Sequence, residues 1–117
     1  MATITGTLTR VEPGYGAWKA VWTALGDADQ GSAIKVPMGS EKSFQVFGTF
    51  GSATVVLQGS NDGTNWASLT DPQGNAISKT AAALEAVSEH TLYIRPSTSG
   101  GTGTNVDVIV FIAGQMT

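Results

Sequence analysis

Few residues in this chain could do covalent or metal chemistry, and their spacing works against each one. His90 is the only histidine, and the chain holds no cysteine to share a zinc ion with it. No serine sits in a nucleophile-elbow motif, so an acyl-transfer triad is excluded with it. Placed between Glu89 and Thr91, His90 reads as a solvated loop residue. Asp27-Ala28-Asp29-Gln30-Gly31 has the alternate carboxylates of a calcium loop, because hard cations gather oxygen ligands from every second residue. It lacks the third oxygen side chain before its glycine and a distal glutamate, so a solvated aspartate turn is expected. Asp62 and Asp71 sit in turn sequences, where a short carboxylate caps backbone N–H groups. The glutamates at 12, 41, 85 and 89 would have to supply any acid pair for glycoside hydrolysis, and nothing in their spacing converges them. Gly100, Gly101 and Gly103 precede no helix, so a phosphate cradle fails for want of context. These residues predict no enzyme, no metal and no cofactor.

The remaining side chains with functional potential are aromatic. Trp18, Trp22 and Trp66 are the large rings that could stack on a sugar or fill a core. Trp66 follows Gly59-Ser60-Asn61-Asp62-Gly63-Thr64-Asn65, a turn sequence between two apolar stretches, and is expected to plug the core beside the turn. That hairpin is similar to one in discoidin-like carbohydrate-binding modules, in which case an exposed ring would face a sugar.

The elements that must position these residues are strands. Glycine and threonine each occur 15 times and leucine is scarce, a composition that favours turns and strands over helical bundles. Thr3, Thr5, Thr7 and Thr9 alternate with Ile4 and Leu8, which predicts an exposed strand or extended arm, ended by a turn over Glu12–Gly16. Residues 1–16 are therefore read as an N-terminal arm or edge strand, and 17–117 as the domain proper. Ala17–Leu25 is a strand with Trp18, Ala20, Trp22 and Ala24 on one face. Phe44, Val46, Gly48 and Phe50 share a face of the next long strand, and Gly51-Ser52 predicts a hairpin into Ala53–Gln58. Asn65–Leu69 reads as a strand, and Thr80–Glu89 as a short helix or irregular crossover. Leu92–Pro96 reads as an edge strand because proline donates nothing to a ladder. A glycine loop over Ser97–Asn105 then leads into a last strand, Val106–Ala113. Turns every 8–12 residues imply an all-β, two-sheet antiparallel sandwich, jelly-roll-like, with at most one short helix.

Bulk properties agree with a single domain. A chain of 117 residues folds to a surface of roughly 6,000 Å² against about 17,400 Å² extended, enough burial for its own core. Charged residues make up 13% and the net charge is −3, which argues against a nucleic-acid binder. The longest apolar run, Val108–Ala113, is too short for a membrane helix, and the first residues carry no export signal.

Taken in order, Phe44–Gly51, Ala53–Gln58, the Gly59–Trp66 turn, Asp71–Ala76, Tyr93–Pro96 and the glycine loop resemble a family of small tailed-bacteriophage virion proteins. Members are often encoded beside the major capsid protein, and the resemblance to head decoration (cement) proteins covers about Ala17–Ala113. It implies a structural protein made in the bacterial cytoplasm and placed on the capsid surface. There it would bridge major capsid protein subunits and associate with further copies of itself, with no nucleic acid or membrane as partner. A tail or host-attachment module, including a carbohydrate-binding one, is the alternative. One physical feature points the same way. In the last strand Val106, Val108, Val110 and Ile112 occupy one face, while Ile109, Phe111 and Ala113 occupy the other. A sandwich buries one face of each sheet, so the second apolar face needs a cover. That cover could be another protomer, a capsid protein or Ala17–Leu25 of the same chain. Ile4, Leu8, Ile109 and Phe111 are the candidate partner-binding residues.

Overall fold

Strand-forming sequence and close turns leave little room for helix, and the computed structural model, which describes residues 2–11, 17–37 and 41–113, has strands joined by turns and loops and no helix among those residues. In order the strands are β1 (Thr3–Ile4), β2 (Thr7–Arg10), β3 (Ala17–Leu25), β4 (Gln30–Gly31), β5 (Ile34–Lys35) and β6 (Glu41–Thr49). They continue as β7 (Thr54–Ser60), β8 (Ala67–Ser68), β9 (Ser78–Lys79), β10 (Ala83–Val87), β11 (Tyr93–Ser99) and β12 (Asn105–Ala113). A five-stranded sheet runs β10-β6-β12-β3-β2, and a seven-stranded sheet runs β1-β4-β11-β7-β8 with β5 on β11 and β9 on β7. Pairing is antiparallel except between β1 and β4. The two sheets form a jelly-roll-like sandwich.

The core is set by period two. Phe44 and Val46 of β6 and Val106, Val108, Val110 and Ile112 of β12 face Val55, Leu57 and Ile94 of the other sheet, all fully buried. Trp22 is the central ring, fully buried, and its Nε1 donates to the Ser32 carbonyl at 2.9 Å. Beyond it the alternation of β3 breaks. The register slips between Val106 and Val108, and Ala24 takes φ 59°. This bulge turns the expected core residue Ala24 outward and buries Leu25 in its place. The Ala24 amide is recovered by Asp107 Oδ1 at 2.9 Å.

Several expectations are corrected. Gly51-Ser52 is a tight turn, with φ 58° and 71° and an Ala53 N to Phe50 O bond of 2.9 Å. It nonetheless makes no hairpin, because β6 and β7 belong to different sheets. Ala83–Val87 is a strand instead of a helix. Although alanine favours helix, Val87 is the side chain that reaches the core, and every residue of β10 pairs with β6. The strand expected over Asn65–Leu69 shrinks to Ala67–Ser68, because the Asp62 turn continues through Asn65. Pro96 lies in an inner strand, not at an edge. β5 meets β11 at Tyr93 and Ile94, and β4 meets it at Ser97, so Pro96 falls in the gap where no donor is required. Gly31 makes that gap usable: a Cβ there would lie 2.5 Å from the Pro96 ring and 2.7 Å from Trp22. The turn expected over Glu12–Gly16 lies outside the described residues.

Candidate functional site: the outer face of the five-stranded sheet

Odd-numbered residues of β6 and β12 point away from the core. Across the sheet, Leu84, Gln45, Ile109, Val21 and Thr7 stand in one row, and Ala86, Ser43, Phe111, Lys19 and Thr9 in the next. Phe47 pairs with Asp107 one step further along β12. Leu84 is 66% exposed, Phe111 42% and Phe47 38%, while Ile109 is half-buried among its neighbours. Of the three covers considered, the one by Ala17–Leu25 is not what forms. That segment is β3, hydrogen-bonded beside β12 in the same sheet, so it shields the edge of β12 and not its face.

The other two candidates sit differently. Ile4 and Leu8 are half-buried and pack against the core from β1 and β2. β1 joins the seven-stranded sheet while β2 joins the five-stranded one, so the N-terminal segment ties the two sheets together at one side. What β2 leaves open is its outer backbone edge, since β3 occupies only one side. Gly6 lies between the two strands, and its amide donates to Ser32 Oγ at 2.9 Å.

The acidic residues act as backbone caps. Asp62 Oδ1 accepts from the Thr64 and Asn65 amides at 2.8 Å each, and Ser60 Oγ donates to it at 2.9 Å. The Asn65 and Thr64 amides, with the Asn65 and Ser60 side chains, hold the Asp62 carboxyl well below the ordinary range. Asp71 Oδ1 accepts from the Gln73 and Asn75 amides at 3.0 Å. Asp27 and Asp29 likewise spend their carboxylates on the amides of Thr104, Ala2 and Gly26. The Thr104 amide, aided by its hydroxyl, lowers the Asp27 pKa. His90 is exposed. No cluster of three metal-ligating side chains occurs among the described residues, and no helix long and apolar enough to cross a membrane occurs among them.

Trp66 is not in the core. It stands half-exposed on the outer face of the seven-stranded sheet, where the Arg95 guanidinium lies 3.9 Å from its ring centroid. Arg95 Nε donates to Gln58 Oε1 at 2.9 Å, and Gln30, with its amide oxygen turned to Arg95, accepts at 2.7 Å. Leu69 and Ile77 take the core positions the ring was expected to fill. The sequence hint that was missed is Arg95 itself, opposite Gln58 on the same outward face.

No family model matches the chain, and no curated protein matches it. Among solved structures it is similar to the SPBc2 prophage-derived protein YomS, with a TM-score of 0.65 at 14% identity, covering 84% of this chain and 95% of that one. It is also similar to an RmlC-like cupin family protein of double-stranded β-helix fold from Methanocaldococcus jannaschii, at TM-score 0.50 and 8% identity over 93% and 80% of the two chains. A third likeness is to IMPa from Pseudomonas aeruginosa, at TM-score 0.50 and 15% identity, covering 91% of this chain but 13% of that one. At these identities the likeness is one of fold.

Proposed function

We propose that this protein is a non-catalytic structural component of a bacteriophage particle. In the finer reading it is a head decoration protein that seats the outer face of its five-stranded sheet on the major capsid protein. The observation that carries the reading is the second apolar face of β12. Phe111, Phe47 and Leu84 stay exposed there, with Ile109 half-buried among its neighbours. Exposed apolar patches of this kind mark interaction sites. Support of a coarser kind comes from the fold shared with a prophage-derived protein. The aspartates engaged as caps add to it, since Asp27, Asp62 and Asp71 spend their carboxylates on backbone amides. Self-association on the capsid would use the open edge of β2, whose backbone groups can extend a neighbouring sheet.

Co-sedimentation with phage heads prepared without the protein tests this reading. The native chain is expected to pellet with the heads, and Phe111→Ser combined with Leu84→Ser to remain in solution while keeping its melting transition. Equal pelleting of the two would overturn it.

One observation favours a second reading, a carbohydrate-binding module of a tail or attachment structure. Trp66 offers an accessible indole braced by Arg95, the arrangement in which a ring can stack on a sugar. Tryptophan emission that shifts with added oligosaccharide, and stops shifting in Trp66→Phe, would support it; emission indifferent to sugars would remove it.

A further inference from the structure

Charge is divided unevenly between the two sheets. The chain holds 9 acidic and 6 basic residues, yet the strands of the seven-stranded sheet carry Lys35, Lys79 and Arg95 and no carboxylate. Lys79 is spent on Glu85 of β10, 2.8 Å away. Lys35 and Arg95 point outward. Lys35 stands opposite Tyr93 and Arg95 opposite Gln58, while Ile34 and Ile94, one residue along, are buried. The nearby carboxylate of Asp62 is committed to its own turn, through the Thr64 and Asn65 amides and the Asn65 and Ser60 side chains.

Around Arg95 the same face is polar but neutral. Gln58 and Gln30 hold the guanidinium at 2.9 and 2.7 Å, and the Trp66 indole lies against it. These partners are dipoles and a ring, so they orient the positive charge without cancelling it. Ser68, opposite Gln58, and Ser97, opposite Gln30, add hydroxyls, and Val56 is the one apolar side chain that β7 turns outward. A protein contact is built on an apolar centre, which this face lacks. An exposed indole amid amides and hydroxyls suits a ligand that is itself covered in hydroxyls. Trp66 and Arg95 both stay partly exposed, so ring and guanidinium are open to it together.

We propose that this face binds an acidic polysaccharide built of uronic-acid sugars, with a sugar carboxylate on Arg95 and a pyranose ring on the exposed part of Trp66. The proposal rests on the reading of Trp66 as a sugar-stacking residue and names the class of sugar. A planar carboxylate matches the guanidinium fork, and the stacked, amide-held Arg95 is already oriented to meet it. Lys35 supplies a second cation roughly 7 Å further along the strand direction, so an oligomer with a charge on every ring gains over a single sugar acid. The net charge of −3 gives the protein no general pull on polyanions, so the selectivity belongs to this face.

The test is a chemical-shift titration of the full chain with tetragalacturonate, with its methyl ester, which is the same sugar without charge, and with tetraglutamate. Tetragalacturonate is expected to move the Trp66 indole and the amides of Gln58 and Arg95. The ester should bind about tenfold more weakly, as loss of a charged hydrogen bond implies. Arg95→Met keeps an apolar stem against the indole and is expected to lose most of that preference. Ester binding as tight as the acid, or a preference left intact in Arg95→Met, would overturn the proposal while leaving Trp66 as a site for neutral sugars. Tetraglutamate binding as tightly as tetragalacturonate would overturn it in favour of an acidic protein. No response to either sugar at tens of millimolar would remove both the proposal and the sugar reading beneath it. If Arg95→Met does not melt cooperatively, the acid-to-ester ratio of the native chain decides alone. Because no phage head enters the assay, failure here leaves the decoration reading untouched.

Discussion

Two tryptophans do opposite work. Trp22, inside β3, is fully buried, whereas Trp66, at the end of the Asp62 turn, rests on Arg95 at the surface. Trp22→Ala is therefore expected to cost about 3–5 kcal/mol, as truncating a core aromatic does. Trp66→Ala should cost about 1 kcal/mol, the scale of an exposed cation–π contact. Parallel urea titrations separate the two, and equal losses would refute the assignment. Asp62 offers a second residue-scale test. Its folded pKa lies below its unfolded value, so the order it gives the turn is present above the unfolded carboxyl range. That order is lost only as pH falls through the lower folded value. Amide exchange at Thr64 and Asn65 should stay slow at mildly acidic pH and quicken in strong acid. In Asp62→Ala it should be fast throughout. Fast exchange in the native chain at neutral pH would contradict the capping geometry.

At the scale of elements, the N-terminal segment is the decisive case. Alternating threonines around Ile4 and Leu8 do show a strand with one thin apolar face, but not which sheet receives it. The segment divides, with β1 parallel to β4 and β2 antiparallel to β3. Deleting residues 1–11 should therefore destabilise the fold, by about 2 kcal/mol or more from the half-burial of Ile4 and Leu8 alone. A melting midpoint unchanged by the truncation would show that the segment is an accessory arm. The same limit explains the other differences. Period-two patterning in β6, β7 and β12 is carried by side chains and reads directly from sequence. Whether Gly51-Ser52 turns back along one sheet or crosses to the other is decided by partners far along the chain. Pro96 obeys the rule for proline in strands, but the gap that satisfies it is made by β4 and β5, two-residue strands with no pattern of their own. The candidate face was legible in Ile109 and Phe111 because a two-sided strand shows itself in sequence. Leu84 was not, since the alanine-rich stretch around it reads as helix until β10 is seen to pair with β6.

Across the whole molecule, the chain exposes 6047 Å² of surface, as expected for one folded unit of this mass. Its two outer faces differ in kind. The seven-stranded sheet presents Arg95, Gln58 and Gln30 in a hydrogen-bonded group around one indole. The five-stranded sheet presents Phe47, Leu84, Ile109 and Phe111 with few charges among them. Attachment through an apolar face should depend only modestly on salt, because exposed charge contributes little to it. Binding to heads that collapses between low and physiological ionic strength would point to the other face. The most direct measurement is a cryo-electron microscopy reconstruction of heads carrying the protein. The reading places the five-stranded sheet against the capsid shell, with Phe111 and Leu84 buried at the contact and Trp66 facing outward. A reconstruction with Phe111 facing solvent, or one with the protein absent from heads and present on tails, would contradict it.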